Sequence, residues 1–190
     1  MADNINDLIR HRRAIFPKSY IDREIPEAII HQLLENARWA PTHRMTEPWR
    51  FIVFQGEGRR KLGEFMAANY LANTPTERFS DMAFQKMLLN PQRAGCVIAI
   101  CMQPDPDERI PEWEEIAATA CAVQNMWLTA TAYGLGAYWS TPGVVVNNDA
   151  VPGLKPGERC LGIFYVSYHD MPEVEGKRSA IEKFTTWINL

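Results

Sequence analysis

Four short stretches combine residue types whose spacing could do chemistry. Arg10-His11-Arg12-Arg13 places three guanidinium groups within four positions. Planar guanidinium groups match the oxygens of a phosphate, so the cluster reads as a phosphate grip. It reads also as a solvated face, because cations sit favourably at a helix C-terminus. Ala40-Pro41-Thr42-His43 is followed by Pro48-Trp49-Arg50-Phe51. There a helix stops at proline, crosses a polar loop and enters an apolar strand. Trp49 suits a core anchor, and His43 is placed to hydrogen-bond a ligand. Tyr138-Trp139-Ser140-Thr141-Pro142-Gly143 ends a strand in a turn. That is either turn chemistry alone or a strand end facing a ligand. Lys177-Arg178-Ser179 follows Gly176 near the C-terminus, as a solvated tail or a second basic group.

Other chemistries lack their residues. The G-x-G of Gly134-Leu135-Gly136 has no third glycine and lies between a helix and a strand. A dinucleotide fingerprint needs strand then helix. Neither a Walker A motif nor a G-x-S-x-G elbow is present. His11, His31, His43 and His169 form no metal-ligand spacing, so no metal is expected. Adjacent Glu114 and Glu115 diverge on a helix and read as a solvated face. A net charge of −3 and a pI of about 5.8 argue against a dedicated nucleic-acid binder. No apolar run reaches transmembrane length, and the start MADNINDLIRHRR has no apolar signal core. The expectation is a cytoplasmic protein with no membrane partner. Its cysteines, Cys96, Cys101, Cys121 and Cys160, read as reduced core residues.

The elements that must position these residues are legible. At 190 residues and 46% hydrophobic content, the chain fits one domain, residues 1–190. Such a chain buries roughly 70% of its unfolded surface and needs no staple. Asn4 caps a short helix that Pro17 ends. Ile29, Ile30, Leu33, Leu34 and Ala37 mark a helix over 26–39. Leu62, Phe65 and Met66 mark another, and Phe79, Met82, Ala83 and Met87 a further one before Pro91. Residues 72–80 read as a mobile loop. Trp113 to Tyr133 is a long helix with Ile116, Ala120, Val123, Trp127 and Ala130 or Thr131 on one stripe. Its second half is apolar almost all round, which predicts a central or interface position. Gly134 fits the residue just past its end. Strands are expected at WRFIVFQ, AGCVIAICM, LGAYWS and CLGIFYVSY. Pattern alone suggests a parallel α/β sheet without fixing strand direction.

The ordered set LIRHRRA, APTHRMTEPWRFIV, AYGLGAYWST and GKRSAIE resembles the FMN-dependent nitroreductase family, in its compact single-domain branch. The resemblance runs from about residue 5 to about 182. Carried over by position, it implies that Arg12, Arg13, Ala14, His43, Trp139, Ser140, Thr141, Lys177 and Arg178 bind FMN. Arg12, Arg13, Lys177 and Arg178 would neutralise its phosphate. Trp139 and the backbone of 140–143 would cover and hydrogen-bond its ring. No side chain is named as catalytic, since the cofactor carries the hard step. The resemblance implies an α+β fold in three layers, a mostly antiparallel sheet flanked by helices. It implies an oxidoreductase passing a hydride from NADPH or NADH through FMN to a nitroaromatic, quinone or similar acceptor, in a two-step cycle. It also implies a homodimer with FMN at the interface, the tail Phe184 to Leu190 reaching the partner. Ala14 departs from the family's usual serine, Glu47 from glutamine and Trp39 from arginine. The departures at Ala14 and Glu47 keep a second reading open: a flavin carrier or sensor without turnover.

Overall fold

A computed structural model describes residues 4–146 and 148–189. The first three residues, Asn147 and Leu190 of the tail lie outside them. Four strands form one sheet: β1 (Trp49–Phe54), β2 (Cys96–Met102), β3 (Gly136–Ser140) and β4 (Arg159–Ser167). Their order is β1-β2-β4-β3, and every neighbouring pair is antiparallel. The parallel sheet suggested by pattern alone is therefore corrected. Its cause is plain in the burial. Helices cover both faces, so antiparallel strands here read as the continuous apolar runs usual for parallel ones.

Alternate side chains feed two cores. Cys96, Ile98 and Ile100 of β2, with Phe164 and Val166 of β4, face α2 (Glu27–Ala37) and α5 (Glu112–Ala132). Val97, Ala99 and Cys101, with Ile163 and Tyr165, face α3 (Glu57–Asn73). There α4 (Asp81–Arg93) packs on α3. The helices α1 (Ile5–His11) and α6 (Gly143–Val146) flank the sheet. Trp49 is buried in the α5-side core, as its anchor role requires.

Several local expectations are corrected. The first helix stops at His11, because residues 12–15 leave it to run beside β3, where Ile15 N–H donates to Ala137 O at 3.0 Å. Pro91 lies inside α4, near its end. Of residues 72–80, expected as a loop throughout, the first two end α3 and Thr76–Arg78 form a 3-10 turn, with Phe79 between Tyr70 and Phe84 and Ser80 N–H donating to Tyr70 Oη. The buried stripe of α5 is rotated from the expected one. It comprises Glu115, Ala118, Thr119, Ala122, Val123, Met126, Thr129 and Ala130, and leaves Ile116 and Cys121 exposed. Glu115 is buried rather than solvated, and accepts two hydrogen bonds from Asp105 N–H. Cys96, Cys101 and Cys160 are buried free thiols, and burial pushes the Cys96 thiol up to about 12.

Candidate functional site

The first site element is a recess of about 950 Å³ between the end of α1, the middle of α5 and the C-terminal segment. Arg10, Arg12 and Arg178 line it with Gln124. The Arg12 guanidinium lies 4.6 Å over the Trp127 ring, which fixes its plane. Its pKa is lowered from the ordinary value, first by burial, then by the charges of Arg178 and Arg13. Arginine stays protonated regardless. The lowering therefore records burial first and like-charge repulsion second, both of which a bound anion would offset. Acidic Glu173 and Glu175 also reach this rim but leave Arg12 and Arg178 without an ion pair among the described residues.

Arg13 does a different job. Its Nε donates to Val174 O at 3.0 Å, and Nη1 donates to the carbonyls of Arg10 and Arg12. Its guanidinium lies against Gly176, where a Cβ would collide with it. Arg13 straps the C-terminal segment to α1. Trp127 Nε1 completes this join by donating to Arg13 O. Lys177 is exposed and does not line the recess.

From there the chain runs beside β3. Ala14 pairs with Ala137 through backbone alone, consistent with the missing hydroxyl. Tyr20 Oη donates to the carbonyls of Ile15 and Tyr165 and holds this segment in place. Burial pushes the Tyr20 phenol up, so it remains a donor. At the far end of β3, strand alternation separates the expected residues. Trp139 packs on the α5-side core, its indole over Gly162, and Nε1 has no hydrogen-bond partner among the described residues. Ser140 points to the opposite side with Tyr138. They line a second recess of about 410 Å³ with Phe16, Lys18, Lys86 and Asn90. Phe16 and Tyr138 rings lie 4.5 Å apart. Thr141 is exposed just past the strand.

Sequence reasoning missed this recess. Its signal was the spacing of Lys86, Asn90 and Arg93, which puts three polar groups on one face of α4. The apolar periodicity of the same helix drew attention to the other face.

His43 stands elsewhere. Its Nδ1 lies 2.6 Å from Glu114 Oε2, in the first turn of α5. Arg12 stacks on Trp127, thirteen residues along the same helix, or roughly 20 Å at 1.5 Å per residue. The loop around His43 is strained: Arg44, Met45 and Glu47 have φ of 50°, 55° and 43°. Thr42 Oγ1 accepts from Glu47 N–H and helps hold that shape. The structure thus brings Arg12, Arg178, Ala14 and Ser140 along one edge and leaves His43 apart.

The sequence pattern of the Nitroreductase family matches residues 9–168. The chain belongs to the nitroreductase family. A Bacillus subtilis protein provisionally named NAD(P)H nitroreductase YfhC is 32% identical over 95% of this chain and 93% of its own. Nitrobenzene nitroreductase of Ectopseudomonas oleovorans is 36% identical, over 97% of both chains. The crystal structure of a nitroreductase-like family protein from Bacillus cereus superimposes with a TM-score of 0.82 and 28% identity, over 99% of this chain and 97% of that one. The FMN-dependent nitroreductase NfnB of Mycobacterium smegmatis, solved with NADPH, shares the fold at a TM-score of 0.77 and 16% identity, over 97% of each chain. The nitroreductase fold expected from the ordered motifs is the one observed.

Proposed function

We propose that this nitroreductase-family chain is an FMN-dependent oxidoreductase that takes electrons from NADPH or NADH and delivers them to an electron-poor acceptor such as a nitroaromatic or quinone. The observation that carries it is the Arg12 and Arg178 pair, two neighbouring cations with no ion-pair partner among the described residues, at one end of an edge that leads to a second recess. These two groups suit the flavin phosphate. Bound FMN supplies the electron relay between donor and acceptor. Phe16 and Tyr138 offer apolar cover, and Lys18, Lys86, Asn90 and Ser140 offer donors around it. Donor and acceptor would use this same recess in turn, a two-step cycle.

The same reading includes a homodimer. His43 and Arg12, on one chain, are too far apart to touch one flavin ring and its phosphate comfortably. A second copy can bring its own His43 to the first copy's flavin. Trp113, Ile116 and Cys121 stand exposed on the outward half of α5, and Phe184, Trp187 and Ile188 stand exposed in the tail. Exposed apolar surface of this kind marks an interaction surface.

The test is a visible spectrum of the purified protein without oxygen, before and after NADPH and then NADH. Flavin bands near ~370 and ~450 nm that bleach are expected. Bands that neither donor bleaches would make the protein a flavin carrier or sensor. A colourless protein that takes up no added FMN would overturn the reading.

A further inference from the structure

We propose that this protein has a second small-molecule site, adjoining the phosphate recess across Arg13 and Val174 but apart from the recess at Ser140, for a neutral aromatic compound carrying a carbonyl-type acceptor oxygen. The site is a cavity of about 520 Å³ at the start of β3. Its walls are Leu8 of α1, Ile15, Leu135, Met171 and Val174, which suit a flat apolar body. Leu135 precedes β3 and Ser140 ends it, so roughly 16 Å of strand separates this cavity from the recess at Ser140.

The polar wall is His169. Gly136 makes room for it: a Cβ there would come within 2.8 Å of the His169 ring and 2.7 Å of Ile15. Neither ring nitrogen has a hydrogen bond among the described residues, and Nδ1 is sealed from solvent. A buried N–H without an acceptor is the costlier orphan. The proton of the neutral ring therefore sits on Nε2, the nitrogen that solvent or a ligand can reach. That makes His169 a donor in want of an acceptor oxygen. The other groups disfavour a charged ligand. The Arg13 guanidinium is tied to backbone carbonyls. His11 Nε2 and Glu173 Oε1 face each other at 3.4 Å across the exposed rim. Thr131 Oγ1 already donates to Trp127 O. A carboxylate would meet Glu173, and a cation would meet the Nε2–H of His169. A neutral ring with one acceptor oxygen fits both.

The probes are acetophenone and its isostere α-methylstyrene, which has the same shape without the oxygen. They are titrated into the protein as purified, with its flavin, and followed by backbone amide shifts and by soaking crystals. Acetophenone should saturate one site per chain, shift the amides of Ile15, Leu135 and His169, and bind at least tenfold more tightly than α-methylstyrene. His169→Phe should erase that preference. Leu8→Trp should block both probes with the visible spectrum unchanged; Met171→Trp, in the wall of this cavity and outside the phosphate recess, is the second filling variant should the first misfold. Equal binding of the two probes overturns the proposal. So does the absence of saturable binding, or shifts centred on Tyr138 and Lys86. A protein without flavin would sink the proposed function yet leave these titrations readable, so the two failures are distinguishable.

Discussion

At the scale of single residues, two arginines that look alike in the sequence do unlike work. Arg12 stacks on Trp127 and faces Arg178, whereas Arg13 spends its donors on the carbonyls of Arg10, Arg12 and Val174. A hydrogen bond to a charged group is worth about 1.5–3 kcal/mol, or upwards of roughly tenfold in affinity. Arg12→Ala with Arg178→Ala should therefore release FMN by more than tenfold while circular dichroism stays native. Arg13→Ala should keep most of the flavin affinity and instead cost about 1–2 kcal/mol of stability, with earlier proteolysis near residues 173–178. Equal flavin loss in both variants would show that the strap and the grip are not separate. Asp105 is a second residue whose role only the structure reveals. Arg109 hydrogen bonds hold its carboxyl down at about 2, below the ~3.9 of an unfolded chain. A depressed carboxyl contributes stability above its unfolded value and loses it as pH falls through the folded one. Urea midpoints of wild type and Asp105→Asn should differ at pH 7 and converge between about pH 4 and pH 2. A gap that stays constant to pH 2 would exclude the ion pair as its cause.

Among elements, the join of β3 to β4 is the most exacting. Between Ile100 and Cys101 the pairing of β2 with β4 slips, leaving Leu161 as the extra residue of a bulge. Gly162 beside it has φ of 142°, and a Cβ there would lie 2.6 Å from Ser140 O and 2.5 Å from Trp139 Nε1. Gly162→Ala must relax the backbone and displace both Trp139 and Ser140. It should cost more than about 2 kcal/mol in urea unfolding and disturb flavin binding through Ser140. A midpoint within experimental error of wild type would remove Gly162 from the site's support. All four strands and the major helices were legible in the sequence because apolar runs, prolines and Gly134 punctuate them. Strand direction was not, since burial on both faces erases the alternation that would reveal it. The phase of α5 escaped for a related reason. With apolar residues on most of its faces, nothing in the sequence separates Ile116, exposed, from Ala118, buried, and the polar Glu115 goes inside to bind Asp105. Along the candidate site, the basic clusters were readable as phosphate chemistry. The recess of Lys18, Lys86 and Asn90 was not, because it forms only when α4 packs beside β3.

At the scale of the whole molecule, the two cores account for the inward surfaces but not for the outward face of α5. Trp113 is 67% exposed there, Trp187 of the tail is 81% exposed, and Cys121 is the exposed cysteine among three buried ones. In the proposed homodimer this outward face would meet its own copy across a twofold axis. In such a pair the His43 end of one α5 can approach the Arg12 end of the other, which would complete a flavin site that one chain spreads over roughly 20 Å of helix. The wild-type protein should therefore run as a dimer in light scattering, with Cys121 slow to react with iodoacetamide. Ile116→Glu would bury a charge in that interface, at a cost of several kcal/mol, and should give a folded monomer. In that monomer Cys121 should alkylate rapidly, while Cys96, Cys101 and Cys160 stay silent until unfolding. Flavin should be lost with the dimer even though Arg12 and Arg178 are untouched. A wild-type monomer of 21.7 kDa with freely reactive Cys121 would sink the paired site. An Ile116→Glu monomer that keeps flavin at wild-type affinity would show that a single chain suffices, and that His43 takes no part in holding it.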